Sequence, residues 1–263
     1  MRLLGLHLYP VKGCGSLAPE ESVVEPQGLQ GDRRWMIVTP DGRFLTQREQ
    51  PSMALIQPTP TADGLLLQTP GQPDLHVSRP KSLADTLTVQ VWRSTLTVPR
   101  TESAADAWLS AALGRAVSLV YMADPGIRAV NPAFSLPGDR VSFADGYPML
   151  LTTHASLRAL NARLDSPVPM NRFRPNLVIS GTDAFAEEMW RTVDIGEVTF
   201  DAVKPCERCV VTTTDQQTGL RMGSEPLRTL ASWRGKDRVH FGMNLIPRSL
   251  GTIRLGDTVT VRG

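Results

Sequence analysis

Two cysteines three residues apart carry the most distinctive chemistry in this sequence. Cys206 and Cys209 lie in a run that reads KPCERC from Lys204. Two thiols at this spacing can share one metal ion or form a disulfide. The positive charges of Lys204 and Arg208 favour the thiolate form, which is the form that ligates metals.

Four roles fit such a pair of thiols. A structural zinc site needs about four ligands, and the rest of the chain supplies only Cys14 and four scattered histidines. A thioredoxin-like redox pair usually opens a helix, whereas residues 210–214 are β-branched and predict a strand. Inert buried thiols are the third interpretation. The fourth is a thiolate that ligates a soft metal whose other ligands come from a cofactor.

Basic side chains form a second group of candidates. Lys12 lies in a glycine-containing run after the first predicted strand, which is either an ordinary turn or a site for an anion. Arg172 and Arg174 precede another predicted strand. In an extended segment both side chains would point to one face and could bind one oxyanion. Alternatively, they are solvated charges that keep a strand edge from pairing with another chain. If these residues meet Arg33 and Arg208 in one cleft, the cleft would bind a strongly anionic cofactor.

Composition excludes several classes of protein. The 263 residues include 28 Lys plus Arg and 26 Asp plus Glu, and the formal net charge of +2 is too small for a typical nucleic-acid binder. No apolar run approaches the roughly 20 residues that cross a bilayer, so we expect neither a nucleic-acid nor a membrane partner. Three cysteines do not make a disulfide framework for a chain of this length, and we expect a cytoplasmic location.

The elements that must position these residues are mostly strands. Short apolar runs predict strands at residues 2–8, 35–39, 64–68, 116–122, 149–153 and 176–180. Alternating patterns predict hairpins over residues 87–98 and 253–261, and helical spacing predicts helices near 103–113, 157–164 and 224–233. The helices do not alternate with the strands, so we expect an α+β fold, mainly β with a few helices. Residues 123–141 predict a loop or an interdomain crossing.

Six short motifs occur in an order that is typical of one known family. They are YPVK at 9–12, DRRW at 32–35, LTQR at 45–48, FRPN at 173–176, KPCERC at 204–209 and GTIRLGD at 251–257. In these motifs the chain resembles the MOSC family, and within it the YcbX-type proteins and the mitochondrial amidoxime-reducing components. The resemblance implies an N-terminal β domain, residues 1–118, packed on a MOSC β-barrel domain, residues 119–263, with molybdenum cofactor between them.

The resemblance also implies roles for individual residues. Cys209 would be the protein ligand to molybdenum and the catalytic centre, with Cys206 nearby but not a ligand. The residues implied to bind the molybdopterin part of the cofactor are Lys12, Gly13, Arg33, Thr153, His154, Ala155, Ser156, Arg172, Arg174, Glu207 and Arg208. Many relatives carry serine where this chain has Gly13 and Glu207.

The activity implied is a two-electron reduction of small N-hydroxylated compounds, namely amidoximes, hydroxylamines and N-hydroxylated base analogues. The reaction also consumes two protons, for which Glu207 is a candidate donor. Some bacterial relatives append a ferredoxin-like domain, whereas this sequence ends just after the last expected MOSC strand. We therefore expect a separate electron-donor protein, a flavin reductase or an iron–sulfur or haem protein.

Two other functions stay open at the level of the sequence. One is a non-catalytic carrier of molybdenum cofactor or of sulfur, in which Cys206 or Cys209 holds the cofactor or a persulfide. The other is a thiol-redox or zinc-stabilised binding module without molybdenum.

Overall fold

The computed structural model describes residues 1–82, 84–124, 128–235 and 239–262, and most of its regular structure is strand. The strands of these ranges are β1 (Arg2–Leu6), β2 (Glu21–Glu25), β3 (Gly28–Leu29), β4 (Trp35–Val38), β5 (Gln57–Pro60), β6 (Gly64–Gln68), β7 (Leu75–Ser78), β8 (Thr86–Val91), β9 (Ser94–Pro99), β10 (Ser118–Tyr121), β11 (Arg128–Ala129), β12 (Arg140–Val141), β13 (Met149–Thr153), β14 (Leu177–Ser180), β15 (Thr192–Ile195), β16 (Val198–Glu207), β17 (His240–Pro247), β18 (Gly251–Arg254) and β19 (Val259–Arg262). The α-helices are α1 (Ser103–Leu113), α2 (His154–Asn161) and α3 (Leu227–Arg234). Short 3₁₀-helical turns lie at Pro51–Leu55, Pro132–Phe134, Met170–Phe173, Ala186–Met189 and Val210–Thr213.

A seven-stranded sheet frames the C-terminal half, in the order β1-β14-β13-β17-β16-β15-β19. Its strand pairs are antiparallel except β13 with β14, which run parallel. An isolated backbone bridge between Arg2 and Thr258 joins the two outer strands, so the sheet curls into a nearly closed barrel. Closure leaves few free strand edges, and apolar side chains such as Leu6, Phe200 and Leu245 are buried in its core.

The N-terminal half is built from smaller antiparallel sheets. They are the pair β4–β10, the three strands β5-β6-β7 and the hairpin β8–β9. Helix α1 covers them and buries Trp108 and Leu109 in a second core with Trp35 and Leu45. None of the helices in the described ranges combines the length and apolar character that a membrane span requires.

The two halves exchange strands. Strand β1, from the start of the chain, belongs to the C-terminal barrel, and β2 pairs with β18 from the end of the chain. Conversely, β10 pairs with β4. The boundary expected between residues 118 and 119 falls inside β10. That division into two domains stays a prediction.

Most elements expected from the sequence are confirmed. All six predicted strands occur, some with shorter ends, and so does the hairpin of β8 and β9. Helix α1 covers the predicted residues 103–113 and ends before Gly114, which is left-handed with φ 65°. Helix α3 begins at Leu227, three residues later than predicted, and buries only Leu230.

Three local predictions are wrong. The strands β18 and β19 do not form a hairpin, because β18 pairs with β2 and β19 with β15. Alternation predicts a strand but not its partner. Residues 210–213 form a 3₁₀ turn instead of a strand, and the Thr212 and Thr213 hydroxyls donate to carbonyls three residues back, a local bond that competes with sheet formation. The expected loop 123–141 contains the strand pair β11–β12.

Candidate functional site

One cleft lies between the two halves of the molecule and encloses about 980 Å³, part of it open to solvent. The N-terminal half contributes Lys12, Gly13, Arg33, Thr46, Gln47 and Arg48. The C-terminal half contributes residues 144–150, Phe173, Arg174, Asn176, Cys206, Glu207, Arg208, Cys209, Val211 and Asn244. A cleft of this size can take a cofactor-sized ligand.

Lys12 and Gly13 form the N-terminal wall of this cleft. The Lys12 side chain is only 6% exposed, and its ammonium pairs with the Asp145 carboxylate. Burial lowers the pKa of Lys12, and the negative charge of Asp145 works against that shift. Gly13 has φ 84°, and an added Cβ would lie 2.8 Å from the Met53 methyl group. Its carbonyl accepts a 2.7 Å hydrogen bond from Gln47, which fixes the wall.

Two arginines stack on a single tyrosine at the base of the cleft. The guanidinium carbons of Arg33 and Arg174 lie 4.2 and 4.3 Å from the Tyr9 ring centroid. Arg33 pairs with Asp32 and donates to Asn176 at 2.9 Å. Both arginines have left-handed backbones, with φ 47° and 53°. The stack holds two positive charges side by side in the wall.

The two thiols of the CxxC motif face the same cleft. The Cys209 sulfur accepts a hydrogen bond from Arg48 at 3.3 Å, and the Cys206 sulfur accepts one from Arg208 at 2.9 Å. Both cysteines are half-buried. Cys14 differs, because it is buried in the core and burial raises its pKa to about 12. Cys206 and Cys209 are therefore not inert core thiols, whereas Cys14 is.

The charges lining the cleft are mainly positive. Five cationic side chains face two carboxylates, those of Asp145 and Glu207. Lys12 and Arg33 each have a carboxylate partner. The other three have none within 4 Å among the residues that the structure describes: Arg48, Arg174 and Arg208. Guanidinium groups without a carboxylate partner provide forked hydrogen-bond donors for phosphate or other oxyanions.

The residues also limit how a metal can be held. Within the described ranges, no group of three or more His, Cys, Asp or Glu could hold a metal ion. A metal bound to Cys209 would have to bring most of its ligands with it, as a metal in a sulfur-rich cofactor does. The partly open cleft and the uncompensated guanidinium groups fit such a charged group.

Arg172 does not join the cleft. It is 5% exposed, and its guanidinium donates to the Thr213 carbonyl at 2.9 Å and to Asp215 at 3.0 Å. The expectation that Arg172 and Arg174 share one face of an extended segment is wrong. Residues Met170–Phe173 form a 3₁₀ turn and Arg174 is left-handed, so the segment is not extended, and only Arg174 lines the cleft.

The segment from Thr153 to Ser156 is also absent from the cleft lining. Thr153 caps helix α2 by accepting the Ser156 N–H at 3.1 Å, and the Ser156 hydroxyl donates to the buried Glu187 at 2.7 Å. His154 and Ala155 line a separate shallow pocket. The capping and Glu187 bonds already use these polar groups, and the cofactor role of the segment stays a prediction.

Glu207 lies at the cleft but does not suit a proton donor. It is exposed, and Lys204 donates a hydrogen bond to it at 2.9 Å. That bond lowers the pKa of Glu207, so the carboxylate is ionised near neutral pH. An efficient general acid has a pKa near the operating pH, which Glu207 lacks.

Sequence reasoning missed several residues of the site. Arg48 and Asn176 stood in the quoted motifs LTQR and FRPN without being assigned a role. Asp145 lies in an irregular segment without a recognisable pattern, and Trp92 lies in a hairpin turn. The Arg48–Cys209 hydrogen bond joins positions far apart along the chain, which no local pattern reveals.

Comparisons with known proteins match nearly the whole chain. The MOSC N-terminal beta barrel domain matches residues 1–116, and the MOSC domain matches residues 138–260. Mitochondrial amidoxime-reducing component 1 of Homo sapiens is 32% identical over 98% of this chain and 82% of its own length. The protein of that name in Mus musculus is 33% identical over 98% and 81%. Among solved structures, the YuaD protein from Bacillus subtilis gives a TM-score of 0.47 at 10% identity, covering 98% of this chain and 93% of that one.

Proposed function

The chain belongs to the family that joins a MOSC N-terminal β-barrel domain to a MOSC domain, and we propose that it is a molybdenum-cofactor-dependent reductase of N-hydroxylated compounds. Relatives named amidoxime-reducing components support a reductive role at nitrogen. The substrates proposed are amidoximes, hydroxylamines and N-hydroxylated base analogues, and the proposed location is the cytoplasm.

One observation carries this proposal. The Cys209 sulfur faces a cleft that also holds three guanidinium groups without carboxylate partners, those of Arg48, Arg174 and Arg208. The buried Nε of Arg208 has no hydrogen-bond partner among the described residues. A soft ligand beside uncompensated positive charge suits a molybdenum–pterin group with its dithiolene sulfurs and phosphate.

Each wall would hold a different part of the cofactor. Cys209 would ligate the molybdenum, while Lys12, Arg33 and Arg174 would bind the pterin and its phosphate. When bound, the cofactor supplies two-electron redox chemistry at the metal. The protein residues orient it, neutralise its charge and leave one side of the cleft open to a small substrate.

The proposed reaction balances with a separate electron donor. Reduction of an amidoxime breaks its N–O bond and yields an amidine and water, which consumes two electrons and two protons. We propose that a flavin, iron–sulfur or haem protein delivers the electrons. Because Glu207 is held ionised by Lys204, the protons would come from solvent through the open side of the cleft.

The second candidate is a non-catalytic carrier of molybdenum cofactor or sulfur. The 2.9 Å hydrogen bond from Arg208 to the Cys206 sulfur favours it, because a guanidinium group would also stabilise the negative charge of a persulfide.

Metal analysis combined with an activity assay tests the first candidate. Protein produced with an adequate cofactor supply should contain about one molybdenum per chain and reduce benzamidoxime with reduced viologen as the electron donor. Cys209→Ala should lose both the metal and the activity, because it removes the protein ligand. Cys206→Ala is the matched control and should keep its molybdenum.

The outcomes separate the alternatives. Zinc in place of molybdenum would overturn both molybdenum functions. Bound molybdenum without reduction of benzamidoxime would favour the carrier. Equal loss of metal in both cysteine variants would contradict the assignment of Cys209 as the ligand.

A further inference from the structure

An unusual tryptophan stands at the edge of the cleft, at the tip of the β8–β9 hairpin. Trp92 and Arg93 form the tight turn between the two strands, and Trp92 has φ 54°. Turns of this kind favour glycine, asparagine or aspartate at left-handed positions. Trp92 is a large apolar residue that is also 39% exposed. Strained residues cluster at functional sites, so the contacts that Trp92 makes in this conformation indicate a role for it.

The Trp92 indole contacts two oppositely charged groups. The Arg48 guanidinium carbon is 4.6 Å from the ring centroid, and the indole N–H donates to the Asp145 carboxylate at 3.2 Å. The Phe44 ring supports the indole at a centroid distance of 5.0 Å. Arg48 and Asp145 therefore contact one side chain without forming an ion pair with each other.

Asp145 would compete for Arg48 if the indole were absent. Desolvation raises the pKa of Asp145, but the Lys12 ammonium outweighs it and leaves the pKa below its ordinary value, so the carboxylate is ionised. Arg48 has no carboxylate partner among the described residues, and its free end donates to the Cys209 sulfur instead. An ion pair with Asp145 would draw it away from that sulfur.

We propose that Trp92 is a positioning residue that holds the Arg48 guanidinium beside Cys209 and apart from Asp145. The cation–π contact fixes one face of the guanidinium, and the indole N–H donates to Asp145 Oδ1, the oxygen that also accepts from the Lys12 ammonium. Trp92 thereby keeps one positive charge at the thiol end of the cleft. Its effect on cofactor retention rests on the proposed function, whereas its effect on the position of Arg48 does not.

Crystal structures of the molybdenum-free protein test the position of Arg48 directly. In Trp92→Ala, Arg48 should leave Cys209 and lie within ion-pair distance of Asp145. In Trp92→Phe, which keeps an aromatic face, Arg48 should stay beside Cys209. If Arg48 remains beside Cys209 in Trp92→Ala, the inference is overturned, whatever the protein's activity.

Retention of molybdenum tests the consequence in the loaded protein. The half-life of bound molybdenum, followed by metal analysis after repeated gel filtration, should fall about fivefold in Trp92→Ala. The double variant Trp92→Ala/Asp145→Asn should recover most of the half-life of Asp145→Asn alone, because the competing carboxylate is gone. If Trp92 acts only by packing on Phe44, adding Asp145→Asn to Trp92→Ala will not restore the half-life of bound molybdenum, and the inference is overturned. A wild-type protein without molybdenum would contradict the proposed function and leave the crystallographic test intact.

Discussion

At the scale of single residues, the partner of each ionisable group decides what that group can do. Lys12 and Arg33 each form an ion pair with a carboxylate. The other cations of the cleft have no carboxylate partner in the described part of the chain, namely Arg48, Arg174 and Arg208. A residue without such a partner has charge and hydrogen-bond donors available for a ligand. The two cysteines Cys209 and Cys14 also differ in their availability to a ligand, because Cys209 lines the cleft and Cys14 is buried in the core.

A buried carboxylate gives a pH-dependent prediction at this scale. Burial raises the pKa of Glu187, and hydrogen bonds from Ser156 and Thr153 only partly oppose the shift. The folded state therefore binds this proton more tightly than the unfolded chain does. The stabilisation is fully present below the unfolded pKa of about 4.5 and is lost as the pH rises through the folded pKa.

Glu187→Gln should remove that dependence, because the amide stays neutral. The free energy of unfolding, measured in urea from pH 5 to pH 8, should fall with pH more steeply in the wild type than in the variant. Ser156→Ala removes a hydrogen-bond donor to the carboxylate, so in this variant the free energy of unfolding should fall with pH more steeply than in the wild type. Parallel curves for wild type and Glu187→Gln would show that Glu187 ionises in the folded state at no cost.

At the scale of elements, the position of the β8–β9 hairpin depends on a close backbone approach. Gly42 lies in the turn after β4 with φ 78°, and an added Cβ would lie well inside contact distance of the Thr88 carbonyl oxygen in β8. Hydrogen bonds between Gln90 and the segment 42–44 hold the same contact. This packing sets where Trp92 stands relative to the cleft.

Gly42→Ala should therefore destabilise the protein and displace the hairpin. Gly71→Ala is the matched control, because Gly71 has φ 80° but no atom within 4 Å of an added Cβ. Both substitutions carry the cost of a left-handed alanine, about 1–2 kcal/mol. Gly42→Ala should cost roughly 1–3 kcal/mol more through steric overlap, measured as the free energy of unfolding. Equal losses of unfolding free energy in the two variants would mean that the hairpin shifts to relieve the overlap at no energetic cost.

At the scale of the whole molecule, the strand exchange makes the halves depend on each other. Strand β1 completes the C-terminal barrel, and Leu3, Leu6, Val24 and Leu29 from the first 31 residues belong to its core. Each large apolar side chain missing from a core costs about 2–5 kcal/mol. A barrel without these residues would lose a strand and a substantial part of its core.

We therefore expect residues 119–263 expressed alone to lack a cooperative thermal transition by circular dichroism. Adding a peptide of residues 1–31 should restore the transition, whereas a scrambled peptide of the same composition should not. A cooperative transition of the fragment by itself would show that the boundary expected at residue 118 separates two independently folding domains.

The sequence alone determined the class of the fold and the chemistry of its motifs. Periodicity gave most strands and helix α1, because alternation and helical spacing are local properties. The thiol pair and the arginine-rich motifs left several roles open, because side-chain type only limits which ligands a site can bind. Among those roles, the resemblance of six motifs to the MOSC family favoured an anionic cofactor with a soft metal.

Only the tertiary structure decided which of those residues meet. It brought Lys12, Arg33 and Arg174 to the thiols, kept Arg172 with Asp215, and placed Trp92 between Arg48 and Asp145. These contacts join residues tens to more than a hundred positions apart, so no local pattern encodes them. They depend on barrel closure by β1 and on a turn at 170–174 where the sequence predicts an extended segment.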